Sequence, residues 1–129
     1  MKKTIYLTLI FFSFSAYSSN LEKVYLKELK NIEKIEKRGN NKLFSLIRNS
    51  SKELEKDWSP KLAQELARVF NKILDVNQNY FLVELIEPAM KKRKKDFEPI
   101  LQKHLSEKNK KLYKQLMKIY ERELREGNG

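Results

Sequence analysis

The chain has 129 residues, enough for one small domain, and it carries 28 basic against 17 acidic side chains, for a formal net charge of +11. It has no cysteine, so disulfides, thiol nucleophiles and thiolate metal sites are excluded. Lysine outnumbers arginine by 22 to 6, a bias that is also typical of AT-rich genomes, so part of the basic character has a cause unrelated to any partner.

Residues 1–18 have the features of a secretory signal peptide. Two lysines precede an apolar stretch over 5–14, and Ala16 and Ser18 occupy the small-x-small positions of a cleavage site. A membrane-spanning helix needs about 20 apolar residues, roughly twice the length of this stretch. We therefore predict cleavage after Ser18, a single mature domain over 19–129 without a transmembrane span, and a periplasmic or secreted location.

The composition of the mature chain predicts an all-α fold. Glycine occurs only at positions 39, 127 and 129, and β-branched residues never alternate over a run. Apolar residues instead recur at helical spacing. Connections of about 2–5 residues place consecutive helices antiparallel. We expect five or six short helices that form either a helical bundle or HEAT-like stacked hairpins.

The first two helices are predicted over about 21–37 and 42–57. The apolar stripe of the first is thin, so residues 19–40 are expected to pack loosely or against a partner. Gly39 suits the left-handed backbone that follows a helix end. In the second helix, the segment "RNSS" weakens the helical pattern, because Asn and Ser side chains compete for backbone hydrogen bonds.

The third and fourth helices have the clearest patterns. Ser59 is predicted to cap the third helix and Pro60 to fill its first turn, ahead of a wide apolar face that extends to Leu74. Asn77 is predicted to cap a short fourth helix that ends at Pro88. This helix is apolar on most sides, which is typical of a central, buried helix.

Residues 59–88, "SPKLAQELARVFNKILDVNQNYFLVELIEP", resemble the middle of a family of small exported proteobacterial proteins with a HEAT-like helical-pair pattern. The matching positions are Leu62, Leu66, Ala67, Ile73, Leu74, Asn77, Val83 and Leu85. Gln78 stands where that family has a proline after the turn asparagine, and a cysteine common further along in the family is absent. The family has no assigned activity, so the resemblance implies a fold and an envelope location and no site residue.

The charge excess lies in the last third of the chain, since residues 91–129 hold 13 basic and 6 acidic side chains. Five of the basic residues are consecutive: Lys91, Lys92, Arg93, Lys94 and Lys95. Five adjacent like charges repel one another in a helix, which favours a solvated joint between Pro88 and Pro99. Two further helices are predicted, from about Asp96 to 105 and, capped by Ser106, over about 107–124.

The basic run over 91–95 is predicted, together with Lys108, Lys110 and Lys111, to form an anionic-surface site. Export removes the nucleic-acid interpretation, because the polyanions of an envelope are phospholipid, lipopolysaccharide and wall polymers. Three interpretations stay open for the run. It is a solvated joint with background electrostatics, a contact for an anionic envelope surface, or a contact for an acidic protein.

Few residues could carry catalysis. The one histidine, His104, follows Lys103 and fits the boundary of a basic helix, and no carboxylates stand at zinc-ligand spacing around it. Glu84 and Glu87 lie one helical turn apart and remain the candidates for a two-carboxylate hydrolase. Such neighbours usually face solvent or pair with lysine. We therefore expect no enzymatic activity, no metal site and no cofactor.

The sequence favours an exported helical protein that acts by binding an envelope protein, an anionic polymer or lipid. The alternatives are an immunity-like inhibitor of an envelope-targeted toxin, a peripheral binder of anionic membrane and, least favoured, a small envelope hydrolase. Most aromatic residues fall at core spacing, with interface anchoring by rim tyrosines as the alternative. These aromatics are Trp58, Tyr80, Phe81, Phe97, Tyr113 and Tyr120.

Overall fold

Five helices make up most of residues 20–127, the part of the chain that the computed structural model describes. They are α1 (20–30), α2 (Asn41–Lys56), α3 (Pro60–Val76), α4 (Phe81–His104) and α5 (Glu107–Gly127). The described residues contain no strand, which confirms the all-α prediction. Within the same range, no helix is both long and apolar enough to cross a membrane. The predicted signal peptide lies outside the described residues.

Helix α4 consists of two helical segments that meet at Arg93. The backbone of Arg93 has φ −117° and ψ 28°, outside the helical region, and both Pro88 and Pro99 lie inside the helix. We call the segments α4a (81–92) and α4b (94–104). The prediction of a solvated, non-helical joint between the two prolines was therefore wrong. The basic run is helical, and the joint is a kink at one residue.

Helix α1 ends seven residues earlier than predicted, and side chains of α3 bind carbonyl groups at its end and just beyond it. The Arg68 guanidinium donates to the carbonyl oxygens of Leu29 at 2.8 Å and Ile32 at 3.1 Å. The Lys72 ammonium donates to the carbonyl oxygen of Glu33 at 2.7 Å. Residues 31–40 thus cross the molecule outside any helix, held by hydrogen bonds that sequence periodicity does not reveal.

The chain between α1 and α2 ends in a left-handed residue, Gly39, with φ 89°. A Cβ atom at this position would lie 3.1 Å from a ring carbon of Phe44, so glycine is favoured both by backbone conformation and by space. Asn40 then caps α2, since its side-chain oxygen accepts a hydrogen bond from the Leu43 N–H at 2.9 Å. The left-handed conformation was predicted correctly, although the residue precedes α2 rather than ending α1.

The predicted serine caps are confirmed. Ser59 Oγ accepts from the Leu62 N–H at the start of α3, and Ser106 Oγ accepts from the Asn109 N–H at the start of α5, both at 3.2 Å. Pro60 occupies the first turn of α3. Each cap satisfies one of the backbone donors that a helix leaves unpaired at its N-terminus.

The prediction that Asn77 caps the fourth helix was wrong. Its backbone N–H bonds the Ile73 carbonyl and so ends α3, and its side chain donates to the carbonyl of Arg38 at 3.0 Å. Helix α4 begins only at Phe81, and its N-cap makes no side-chain hydrogen bond. The asparagine therefore ties the α3–α4 turn to the segment before α2, a contact between residues far apart in sequence.

Helices that are two apart in the chain contact each other at a nearly constant sequence separation of 37 to 39 residues. The contacting pairs are Glu22 with Ser59, Leu29 with Arg68, Phe44 with Phe81, Ser51 with Ala89, and Leu54 with Arg93. In both pairs of helices, contacts further along the first helix involve residues further along the second. Helix α1 is therefore parallel to α3, and α2 is parallel to α4a.

The segments after the kink continue this arrangement. Phe97 packs on Trp58 before α3, and the Ser106 N–H donates to Asn71 Oδ1 in the second half of α3. Segment α4b thus runs in the same direction as α3. Helix α5 begins beside the end of α3 and reaches Glu87 of α4a through Tyr120, so it is parallel to α4a.

The fold is consequently three stacked helical hairpins in two layers. Segments α1, α3 and α4b form one layer, and α2, α4a and α5 form the other. The core lies between the layers, because no single hairpin buries its apolar face alone. The largest fully buried side chains are Phe70, Phe97, Leu29, Ile47, Leu54, Leu62, Leu66, Ile73, Leu74, Leu82, Leu85 and Ile86.

Most of the aromatic residues pack as predicted. Phe81, Phe97 and Tyr113 form edge-to-face pairs with Phe44, Trp58 and Phe70, respectively. Such pairs add to the stability that burial of the rings provides. Tyr80, in contrast, is exposed in the turn before α4.

Directly after Pro88 in α4a, a backbone N–H donates a hydrogen bond to a side chain of the neighbouring helix α2. A proline ring clashes with the carbonyl four residues earlier and disturbs the helical hydrogen bonds around it. The next N–H, that of Ala89, donates to Ser51 Oγ at 3.0 Å in a buried setting. Ser51, which sequence reasoning treated as a weak point of α2, therefore joins the two parallel helices.

We expect Ser51→Ala to lower the free energy of unfolding by about 1–2 kcal/mol, because it leaves a buried N–H without its acceptor. The matched control is Ser50→Ala. Ser50 is equally buried on the same helix, and its hydroxyl has no hydrogen-bond partner among the described residues. Its replacement should change stability by less than about 0.5 kcal/mol. Equal losses in urea unfolding would contradict the assigned role of Ser51.

Candidate anion-binding surface

The basic run contains two kinds of residue. Lys91, Lys92, Lys94 and Lys95 are exposed. Arg93 is half-buried, and its guanidinium donates to the carbonyl oxygens of Leu54 at 3.2 Å and Lys56 at 3.3 Å. These carbonyls lie in the last turn of α2, where the helix dipole attracts a positive charge. Arg93 thus caps α2, and it is engaged within the fold.

The second predicted group, Lys108, Lys110 and Lys111, lies in the first turns of α5. Lys110 pairs with Glu107 at 3.0 Å, and this hydrogen-bonded ammonium lowers the pKa of the Glu107 carboxyl. Lys108 and Lys111 are exposed. Because α4b and α5 are antiparallel, Lys95 and Lys108 are about eight residues, or about 12 Å, apart along the hairpin. The two predicted groups are therefore neighbouring patches rather than one cluster.

Helix α5 carries a row of basic side chains that sequence reasoning identified only in part. All six are exposed, and they recur at intervals of three or four residues. On a helix this spacing confines them to an arc of about 120° and a length of about 25 Å. We call this row the α5 basic face. It consists of Lys108, Lys111, Lys114, Lys118, Arg122 and Arg125.

No acidic residue interrupts the central turns of the α5 basic face. By helical spacing, Glu107 and Glu126 lie at its two ends, whereas Glu121 and Glu123 fall outside its arc. The opposite side of α5 packs on the core through Tyr113 and Leu116, whereas Leu124 near its end is exposed. The row is thus a continuous positive surface on a helix whose orientation is fixed by the core.

The candidate catalytic carboxylates each have a partner on another helix. Glu84 lies 3.9 Å from the guanidinium of Arg48 on α2, and Glu87 accepts a hydrogen bond from the hydroxyl of Tyr120 on α5. Both line a shallow groove that also contains Lys52 and Lys91. The two carboxylates therefore link α4a to its neighbours on either side within one layer.

Neither His104 nor the carboxylates of the described residues form a metal centre. His104 is half-buried in the last turn of α4. Over residues 20–127, no group of three or more histidine, aspartate or glutamate side chains is arranged to hold a metal ion. His104 therefore lies at the end of α4, and the described residues around it do not form a group of metal ligands.

One carboxyl group outside the predicted sites is electrostatically unusual. Glu53 on α2 is buried, and loss of hydration raises the pKa of its carboxyl. The nearby carboxylates of Asp57 and Glu22 raise this pKa further, and Lys56 opposes them. Ionised Glu53 therefore destabilises the fold, a local effect that sequence spacing does not indicate.

Comparison of the chain with protein-family models, curated proteins and solved structures found no match. The resemblance of residues 59–88 to exported helical-pair proteins consequently stays a prediction. Among the described residues, the α5 basic face is the most distinctive surface.

We expect Arg93→Met to lower the free energy of unfolding by about 1–2 kcal/mol, because the carbonyls at the end of α2 lose a charged donor. Lys92→Met removes a neighbouring exposed charge and serves as the control, with an expected change below about 0.5 kcal/mol. Arg93→Lys should fall between the two, since it keeps the charge but not the guanidinium fork. Thermal and urea unfolding that fail to separate Arg93→Met from Lys92→Met would show that Arg93 is no cap.

We expect Glu53→Gln to stabilise the protein at neutral pH. A carboxyl whose pKa is raised in the folded state favours folding while protonated, so this contribution is present below the ordinary value of 4.5 and is lost as pH rises through the raised folded value. The variant should therefore lose less stability than the wild type as pH rises from about 4 to about 8. An exposed control, Glu123→Gln, should keep the wild-type profile in unfolding measured across this range.

Proposed function

We propose that this chain is an exported binding protein that contacts an anionic partner of the bacterial envelope through the α5 basic face, without catalysis. The observation that supports the proposal is the row of six exposed cations along one side of a single helix. Each lysine or arginine beside an anionic surface contributes about 1 kcal/mol. Six acting together are sufficient for specific but salt-sensitive binding.

The α5 basic face is a better candidate than the run over 91–95. Lys91 and Lys92 lie on α4a and Lys94 and Lys95 on α4b, on the two sides of the kink at Arg93, so the four lysines do not form one continuous helical face. Arg93 is moreover bound to the end of α2. The run therefore contributes a general positive field, which raises the rate of encounter with anions more than it raises the stability of the complex.

The envelope location is supported by the sequence of residues 1–18, which has the order of charge, apolar stretch and cleavage site of a signal peptide. The resemblance of residues 59–88 to exported proteins points to the same compartment. Export would bring the α5 basic face to lipid phosphates and wall polymers instead of nucleic acids. Recovery of the tagged chain in the periplasmic or medium fraction, shortened at its N-terminus, is the expected result of fractionation.

The decisive experiment compares two variants with equal net charge. The α5 variant carries glutamine at Lys111, Lys114, Lys118 and Arg122, and the run variant carries glutamine at Lys91, Lys92, Lys94 and Lys95. We expect the α5 variant to bind isolated envelope particles about 1000-fold more weakly than the wild type, since four cations that contribute about 1 kcal/mol each are lost from one face. The run variant should lose less than about 10-fold.

Co-sedimentation at increasing salt measures both quantities. Binding by the wild type should disappear near 1 M salt, because the contacts are exposed and ionic. Equal losses by the two variants would mean that net charge alone drives the interaction. A larger loss by the run variant, or binding that persists at high salt, would overturn the proposal, the latter in favour of an apolar contact with a protein.

A further inference from the structure

We propose that the ligand of the α5 basic face is a linear phosphate polymer that lies along the helix axis and engages the six cations together. This inference rests on the proposed function and specifies the shape and chemistry of the anion. The row is about 25 Å long and one helix wide, with a positive charge about every 5 Å along the axis. A chain of regularly spaced anions matches that pattern, whereas a compact ligand would meet only one or two of the cations.

The surroundings of the row favour a narrow ligand over a membrane surface. Glu121 lies just beyond one edge of the arc and Glu123 lies beyond the other, and both are exposed. A flat anionic bilayer would approach Glu121 nearly as closely as the lysines at the edge of the row, whereas a single polymer chain contacts the row alone. The arc of the row itself contains no apolar residue for insertion; Ile119 beside it is half-buried, and the exposed Leu124 lies on the other side of the helix.

The residue types favour phosphate over carboxylate. Four of the six cations are lysines, which act as point charges and donate from any direction. The guanidinium fork that pairs bidentately with carboxylate or phosphate is provided only by Arg122 and Arg125 at the C-terminal end of the row, so most of the row binds anions as point charges. Phosphate oxygens point in several directions and can therefore accept hydrogen bonds from lysine ammonium groups that approach from any side.

The length of the row gives the experiment its readout. Dissociation constants are measured by calorimetry for inorganic polyphosphate fractions that are shorter than, equal to and several times longer than the row. We expect affinity to rise with chain length up to about 25 Å and then to level off. A polyglutamate of the same charge and length should bind at least about 10-fold more weakly, because its carboxylates pair best with guanidinium forks and most of the row consists of lysines.

The α5 variant and the run variant serve as matched controls. For a phosphodiester-like single chain, each neutralised phosphate contributes about 0.7 to the slope of log K against log salt, so the α5 variant should lower that slope by about 3. The run variant should leave it within about 1 of the wild type. Continued gain of affinity with polymer length, or tighter binding to anionic phospholipid vesicles than to polyphosphate, would overturn this inference alone. No binding to any anion, or equal effects of the two variants, would overturn the proposed function with it.

Discussion

The architecture depends on the kink at Arg93, beside the end of α2. A continuous helix over the 24 residues of α4 would be about 36 Å long, whereas α3 with 17 residues spans about 25 Å. Such a helix would extend beyond the layers. At Arg93 the backbone leaves the helical conformation, and the guanidinium binds the carbonyls of Leu54 and Lys56. The chain therefore turns back, and α4b joins the layer of α3.

Polar side chains recur at the joints between hairpins and set their register. Arg68 binds carbonyls beyond α1, Arg93 those of α2, and Asn109 donates to the carbonyl of Asn71 in α3 and to the carboxylate of Asp75. Aliphatic packing alone tolerates sliding of one helix past another, because leucine and isoleucine fit several holes. Directional hydrogen bonds do not tolerate such sliding. These contacts therefore fix the register of the helices in a domain that has no disulfide.

The sequence was sufficient for features that depend on near neighbours. Helical spacing located most of the helices, and the caps at Ser59 and Ser106 followed from residues three positions away. Features that depend on distant residues were missed. The end of α1 is set by side chains of α3, and Asn77 serves Arg38 instead of the next helix. The candidate surface was predicted at 91–95 because five basic residues are consecutive there. On a helix, however, residues three or four apart share a face, and the basic residues of α5 have that spacing.

The position of α5 as the last helix of its layer has a consequence for assembly. An array of stacked hairpins presents an open end on which a second molecule can continue the stack, and natural arrays close that end with a polar face. Six like charges on α5 make two such ends repel. On the proposed function, a bound polyanion would cancel that repulsion, so the same row would link anion binding to end-to-end association.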